Sequence, residues 1–112
     1  MKVFENKPPR RFTGGAGVEI SDCGRIELLP DELLSLRTPS AKDYEISAKD
    51  WGFYATPSIN GRLKKAGFKT ALVKNPQGKY FVMVVEEDKL NDFEAYLARD
   101  GQKLLEWLDE RP

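Results

Sequence analysis

The side chains that could bind a ligand are concentrated in one short segment, residues 51–62. This segment combines aromatic rings, hydroxyl groups and a guanidinium group, carried by Trp51, Phe53, Tyr54, Thr56, Ser58 and Arg62. Aromatic rings stack on or anchor a ligand, and the free amide groups at a helix N-terminus attract anions. Because Thr56 is a good helix cap and Pro57 suits a first helical turn, we predict a helix start here that binds phosphate or carboxylate.

The composition leaves little room for catalysis or metal binding. The chain has no histidine, and its single cysteine, Cys23, therefore has no imidazole to activate it as a nucleophile. The acidic run at 86–88 places consecutive side chains in different directions, which is a poor arrangement for holding a divalent ion. We therefore predict a noncatalytic protein with no metal site and no cofactor.

Length and overall charge limit the number of domains and the class of partner. A chain of 112 residues suits one domain, and 18 basic residues balance 18 acidic ones. A net charge of zero argues against broad attraction to nucleic acid or anionic membranes. With one cysteine, no apolar run long enough to span a bilayer and no signal-peptide core, the chain is predicted to be cytoplasmic, with no membrane partner.

The charges are unevenly distributed along the chain. Residues 61–79 contain six basic residues and no acid, whereas residues 86–112 are mainly acidic. Such runs are common on solvated surfaces, but the basic stretch also suits single-stranded nucleic acid. The candidate side chains for nucleic-acid binding are Lys64, Lys65, Lys69 and Phe81.

The first half of the chain predicts an arm followed by strands. Residues 1–17 contain Pro8–Pro9 and a glycine-rich end, which predict a flexible N-terminal arm. Residues 18–112 are predicted to form one domain that begins with an N-terminal β-hairpin extension, strands 18–20 and 25–29 around a turn.

A second hairpin is predicted from strands 33–38 and 44–49, because Tyr44, Ile46 and Ala48 alternate as an apolar face. Residues 30–37 also suit a helix start with Pro30 at its first position, so strand and helix both remain open there.

The second half predicts an α+β fold with an antiparallel sheet and two helices. We predict a helix over 56–67, a hairpin of strands 68–75 and 79–86, a helix from Asp88 to Gly101, and a strand over 103–108. Counted from residue 44, the order is strand, helix, strand, strand, helix, strand. This is the split βαβ, or ferredoxin-like, order.

The predicted strand at 79–86 is apolar on both faces. Helices cover only one side of a ferredoxin-like sheet, so the other side needs the N-terminal strands or a second copy in a homodimer.

Three functions follow from these observations. The first is a noncatalytic domain that binds an anionic small molecule or a partner protein through residues 51–62. The second is single-stranded nucleic-acid binding through the basic stretch at 61–79. The third is a self-associating accessory or assembly protein.

Overall fold

The computed structural model describes residues 1–15 and 17–112, which form a mixed α+β protein with antiparallel sheets and few helices. The chain divides into two compact units, Met1–Thr56 and Pro57–Pro112. No helix in the described part of the chain is long and apolar enough to cross a membrane.

The first unit begins with a two-stranded ribbon. Strand β1, Lys2–Thr13, pairs antiparallel with strand β2, Glu19–Glu27, and a 3-10 turn, Gly15–Gly17, joins them. The segment predicted to be a flexible arm is therefore mostly β-strand, because β2 pairs with residues 2–5 and 10–13.

An irregularity in the ribbon explains why its prolines are tolerated. The register shifts between Glu5 and Arg10, and Pro8–Pro9 lie within that interruption, where a missing backbone N–H costs no regular ladder bond. On the opposite strand, Gly24 has a φ of 144°, and a Cβ there would overlap the carbonyl oxygen of Phe4. Only glycine suits that position.

The predicted hairpin of strands 18–20 and 25–29 is not formed, since β2 runs through residues 21–24. The backbone N–H of Gly24 donates to the Oδ1 of Asp22 at 3.2 Å. Aspartate and glycine favour turns and bulges alike, so the local sequence did not distinguish a turn from an irregular strand.

A three-stranded meander completes the first unit. Its strands are β3, Leu33–Arg37, β4, Asp43–Lys49, and β5, Gly52–Ala55, in the order β3-β4-β5. The predicted hairpin of β3 and β4 is present, and residues 33–37 are strand rather than helix. Strand β5 corrects the sequence prediction, which places its aromatic residues in a loop between a strand and a helix.

The second unit is a three-stranded sheet with two helices. Its helices are α1, Arg62–Lys65, and α2, Leu90–Arg99; its strands are β6, Phe68–Lys74, β7, Tyr80–Glu86, and β8, Lys103–Trp107. Two 3-10 turns, Glu87–Lys89 and Leu108–Glu110, follow β7 and β8. The predicted β6–β7 hairpin is present. The helix predicted over 56–67 is reduced to the four residues of α1.

The core of the second unit lies between α2 and one face of the sheet. Ala71 and Val73 of β6 are fully buried and pack with Leu97 of α2. Phe93 and Trp107 extend this cluster with ring centroids 5.8 Å apart. The spacing of the apolar residues in α2 places them on one stripe, as predicted.

The strand pairing does not confirm the ferredoxin-like order. Strand β4 pairs with its neighbours along the chain, β3 and β5, and β6 pairs with both β7 and β8. Strand β5 pairs with one edge of β4. The two strands are joined by a two-residue turn, so closing this hairpin costs little conformational entropy.

Candidate functional site

The three aromatic residues of the predicted site are exposed, but they do not form one cluster. Trp51 lies in the tight turn between β4 and β5 and is 70% exposed, while Phe53 and Tyr54 of β5 are 74% and 50% exposed. Phe53 is opposite Ala48 and Tyr54 is opposite Ser47. Since neighbouring strand residues alternate between faces, Phe53 and Tyr54 lie on opposite sides of the sheet.

Phe53 lies on the apolar face of the meander. Cross-strand pairing puts Leu34 opposite Ile46 and Leu36 opposite Tyr44 on this same face. A cavity of about 420 Å³ is lined entirely by apolar side chains there. We call it the Phe53 groove; its lining residues are Ile26, Leu28, Leu34, Leu36, Ile46 and Phe53.

A second, larger cavity adjoins the Phe53 groove. Its volume is about 660 Å³, and it shares Ile26, Leu28 and Phe53 with the groove. Its remaining lining is partly charged and includes Lys2, Glu27 and Lys49. The two cavities therefore form a continuous open surface with an apolar centre and a charged end.

The apolar face of the first unit has little cover. The described residues of this unit include no α-helix, and only Ser47 and Ala48 among them are buried. On this face, Leu36 is about half exposed and Phe53 is 74% exposed. Large contiguous apolar surfaces of this kind usually mark an interaction site.

The groove residues could have been identified in part from the sequence. Leu34 and Leu36 alternate with polar residues, as do Tyr44, Ile46 and Ala48. This pattern predicts one apolar face, but it does not show that β5 adds Phe53 to it. The sequence prediction therefore missed the groove while naming one of its residues.

Thr56 does not begin a helix. Its backbone N–H donates to the carbonyl oxygen of Glu45 at 3.2 Å, and its hydroxyl donates to the same oxygen at 3.4 Å. Thr56 thus continues the pairing of the meander and belongs to the first unit, whereas Ser58 and Arg62 belong to the second.

At the observed start of α1, three amide groups already have partners within the second unit. The N–H of Arg62 donates to the Oγ of Ser58 at 2.9 Å, and the N–H groups of Gly61 and Leu63 donate to the carbonyl oxygen of Ser58. A Cβ at Gly61 would overlap that same Oγ, which explains the glycine without a ligand. The geometry therefore lends the anion hypothesis no support at this turn.

The candidate nucleic-acid residues lie on different parts of the second unit. Lys64 and Lys65 are exposed on α1, and Phe81 is opposite Val73 on the face that α2 partly covers. Lys69 is mostly buried and lies 4.7 Å from the ring centroid of Trp107. These four side chains do not share one exposed surface.

Lys69 belongs to a structural ion cluster. Its Nζ lies 3.1 Å from the Oδ2 of Asp109 and 3.3 Å from the Oε1 of Glu110, and the N–H of Thr70 donates to the Oδ1 of Asp109 at 2.9 Å. Burial alone would raise the pKa of Asp109, but these hydrogen bonds outweigh it and lower that pKa. Burial likewise opposes the ammonium charge of Lys69, yet its two carboxylate partners raise its pKa.

The structure also places Cys23 and the acidic side chains. Cys23 is an exposed free thiol in β2 rather than a turn residue. In the described ranges, no group of three or more acidic or cysteine side chains could hold a metal ion.

Comparison with known proteins provides no relative. No protein family, curated protein or solved structure matches this chain.

Proposed function

We propose that this chain is a noncatalytic protein-binding module whose first unit binds an extended apolar segment of a partner protein in the Phe53 groove. The main supporting observation is that Phe53 is 74% exposed beside a groove with an entirely apolar lining. Removing apolar surface from water is favourable by about 25 cal/mol per Å². A partner that covers this face gains that free energy.

The shape and chemistry of the surface favour a polypeptide over a small molecule. The groove opens into the adjoining cavity, where Lys2, Glu27 and Lys49 supply charges at one end. An apolar centre with a polar rim is the usual anatomy of a protein interface. Exposed aromatic residues such as Trp51 and Phe53 belong to the types that are enriched at protein interfaces.

A free strand edge favours an extended partner. Among the described residues, β5 pairs only with β4, so its outer edge presents unpaired backbone groups next to Phe53. A partner strand can pair with such an edge and direct alternate side chains onto the apolar face. Backbone pairing would supply affinity, and the groove would select apolar side chains.

A peptide selection on the full chain tests this proposal. Peptides selected from a random library should carry alternating apolar residues and should perturb the amide resonances of β5. Phe53→Ser should weaken their binding about tenfold or more, which corresponds to about 1.4 kcal/mol. Tyr54→Ser is the matched control, because it removes a neighbouring ring from the opposite face of the same strand.

Two results would contradict the proposal. One is a selection that enriches no apolar peptide, and the other is an equal loss of binding in both variants. Far-UV circular dichroism of Phe53→Ser would confirm that its fold is retained.

Self-association is tested in the same series. If sedimentation velocity shows a dimer that Phe53→Ser dissociates and Tyr54→Ser does not, the partner is a second copy of this chain. That result would assign the groove to the third predicted function.

A further inference from the structure

The exposed face of the second unit carries a row of three side chains that are not among the candidate site residues, although one of them, Lys74, lies in the basic stretch at 61–79. Tyr80 of β7 is opposite Lys74 of β6, and Lys74 is opposite Lys103 of β8. Directly opposed residues in antiparallel strands share a face, with their Cβ atoms about 5 Å apart. Val73, the neighbour of Lys74, packs in the core beneath α2, so this row lies on the other face of the sheet.

The two lysines are placed together without a compensating acid. In the part of the chain that the structure describes, neither Lys74 nor Lys103 takes part in an ion pair. The acid on the next row of this face, Glu106, is held by Arg111 through two hydrogen bonds. Like charges directly opposed across a sheet are destabilising, so an anion between them would relieve their repulsion.

A cavity lies beside this pair. Its volume is about 580 Å³, and its lining includes Lys74, Lys103, the 75–78 turn and Gly101. This volume is within the usual range for sites that bind small molecules. The turn amides of Gln77 and Lys79 already donate to the side chain of Asn75. The lysines are therefore the groups that an anion would contact.

The third member of the row offers a stacking surface. Tyr80 is 61% exposed, and the Nζ of Lys74 lies 5.3 Å from its ring centroid. Val82, two residues along β7 on the same face, is also 61% exposed. An exposed ring beside cations is the arrangement that binds bases and phosphates together.

We propose that Lys74, Lys103 and Tyr80 form a nucleotide-binding site, with the phosphate between the lysines and the base on the tyrosine ring. The ligand is a nucleotide, either free or within a single strand. This proposal is independent of the Phe53 groove, since it uses other residues in the other unit.

Fluorescence anisotropy with a labelled ten-residue oligo(dT) tests the site on the full chain. Lys74→Gln or Lys103→Gln should weaken binding about tenfold at low salt, and each should reduce the slope of log K against log salt by about 0.7. Tyr80→Ala should weaken binding without changing that slope, because it removes a ring and no charge. Tyr80→Phe keeps the ring and should therefore bind as well as the unaltered chain. Lys89→Gln is the charge-matched control, because Lys89 lies on a 3-10 turn outside the row.

Competition identifies the source of the nucleotide. AMP and unlabelled oligo(dT) are each used to displace the labelled oligo(dT). If AMP does so at a concentration similar to that of the unlabelled oligo(dT), counted in nucleotides, the natural ligand is a free nucleotide. If the oligonucleotide binds much more strongly than AMP, the natural ligand is a single strand. The proposal is overturned if oligo(dT) and AMP both fail to bind at low salt, or if inorganic phosphate competes as well as AMP. It is also overturned if Lys64→Gln on α1 weakens binding as much as Lys74→Gln.

Discussion

Phe53 and Tyr54 are adjacent in sequence but lie on opposite faces of β5, because Phe53 is opposite Ala48 and Tyr54 is opposite Ser47. Only Phe53 borders the groove. The aromatic segment is therefore not one stacking platform, and its residues can be tested separately. This relationship makes Tyr54 a close control for Phe53.

The two tryptophans should differ strongly in their accessibility to acrylamide. Trp51 is 70% exposed in a turn, whereas Trp107 packs against the core of the second unit and beside Lys69. We expect Trp107→Phe, which leaves only Trp51, to show red-shifted emission and several-fold stronger quenching than Trp51→Phe. Similar quenching constants for the two variants would contradict the exposed position of Trp51.

Ser58 and Gly61 should show a non-additive effect on stability. Ser58→Ala removes the acceptor for the N–H of Arg62 and should cost about 1 kcal/mol. Gly61→Ala should cost a similar amount, because the new Cβ displaces the Oγ of Ser58. In the Ser58→Ala background that overlap is absent, so Gly61→Ala should then cost little.

Urea unfolding of the four proteins of this double-mutant cycle measures the coupling. Additive losses would show that the side chain of Ser58 does not occupy the space beside Gly61.

The Asp109 cluster should make stability depend on acid pH. The pKa of Asp109 is below its ordinary value of 3.8 in the folded protein, so the unfolded chain binds the proton more readily. The stabilisation is fully present above that ordinary value and is lost as the pH falls through the lower folded value. Asp109→Asn should reduce this pH dependence.

Because the substitution leaves Lys69 with only one of its two carboxylate partners, it should also cost about 3 kcal/mol at pH 7. Urea unfolding measures both effects when it is repeated between about pH 2 and about pH 7, because carboxyl groups titrate within this range. Asp92→Asn, at an exposed position on α2, should change stability by less than about 0.5 kcal/mol. Equal losses in the two variants would contradict the structural role of Asp109.

Thr70→Val should stabilise the second unit. Thr70 is only 2% exposed, and its Oγ1 has no hydrogen-bond partner. Valine has the same shape, suits a strand and leaves the backbone bond to Asp109 intact. We expect a gain of about 1 kcal/mol in the free energy of unfolding.

Thr70→Ser is the control for this prediction, since it keeps the hydroxyl, removes a buried methyl group and should cost about 1 kcal/mol. A destabilised Thr70→Val variant would indicate that the hydroxyl has a partner in solution.

Local sequence patterns predicted the elements that depend on near neighbours. The β3–β4 and β6–β7 hairpins and helix α2 follow from turn residues and from the spacing of apolar residues. Gly101, with a φ of 64°, ends α2 as expected, and the N–H of Gln102 donates to the carbonyl oxygen of Leu97. These signals act within a few residues, so they can be recognised without the tertiary structure.

The same kind of signal failed where a distant strand competed for the backbone. Thr56 and Pro57 resemble a helix start, but Thr56 pairs with Glu45 instead. Residues 2–13 resemble a flexible arm, yet β2 pairs with them and places the prolines at a register shift. Pairing with another strand outweighs local propensity, because it satisfies many backbone groups together.

The sequence by itself determined the α+β class, the absence of histidine chemistry and the apolar alternation of the strands. Only the tertiary structure decided that Phe53 joins the groove, that Lys74 lies opposite Lys103, and that Lys69 meets Asp109. Phe53 and Lys74 owe their positions to strand register, and a shift of one residue would move each side chain to the other face. Lys69 meets Asp109 because the chain turns back onto β6 after β8. Register is set by packing and pairing over the whole sheet, which is why no local pattern contains it.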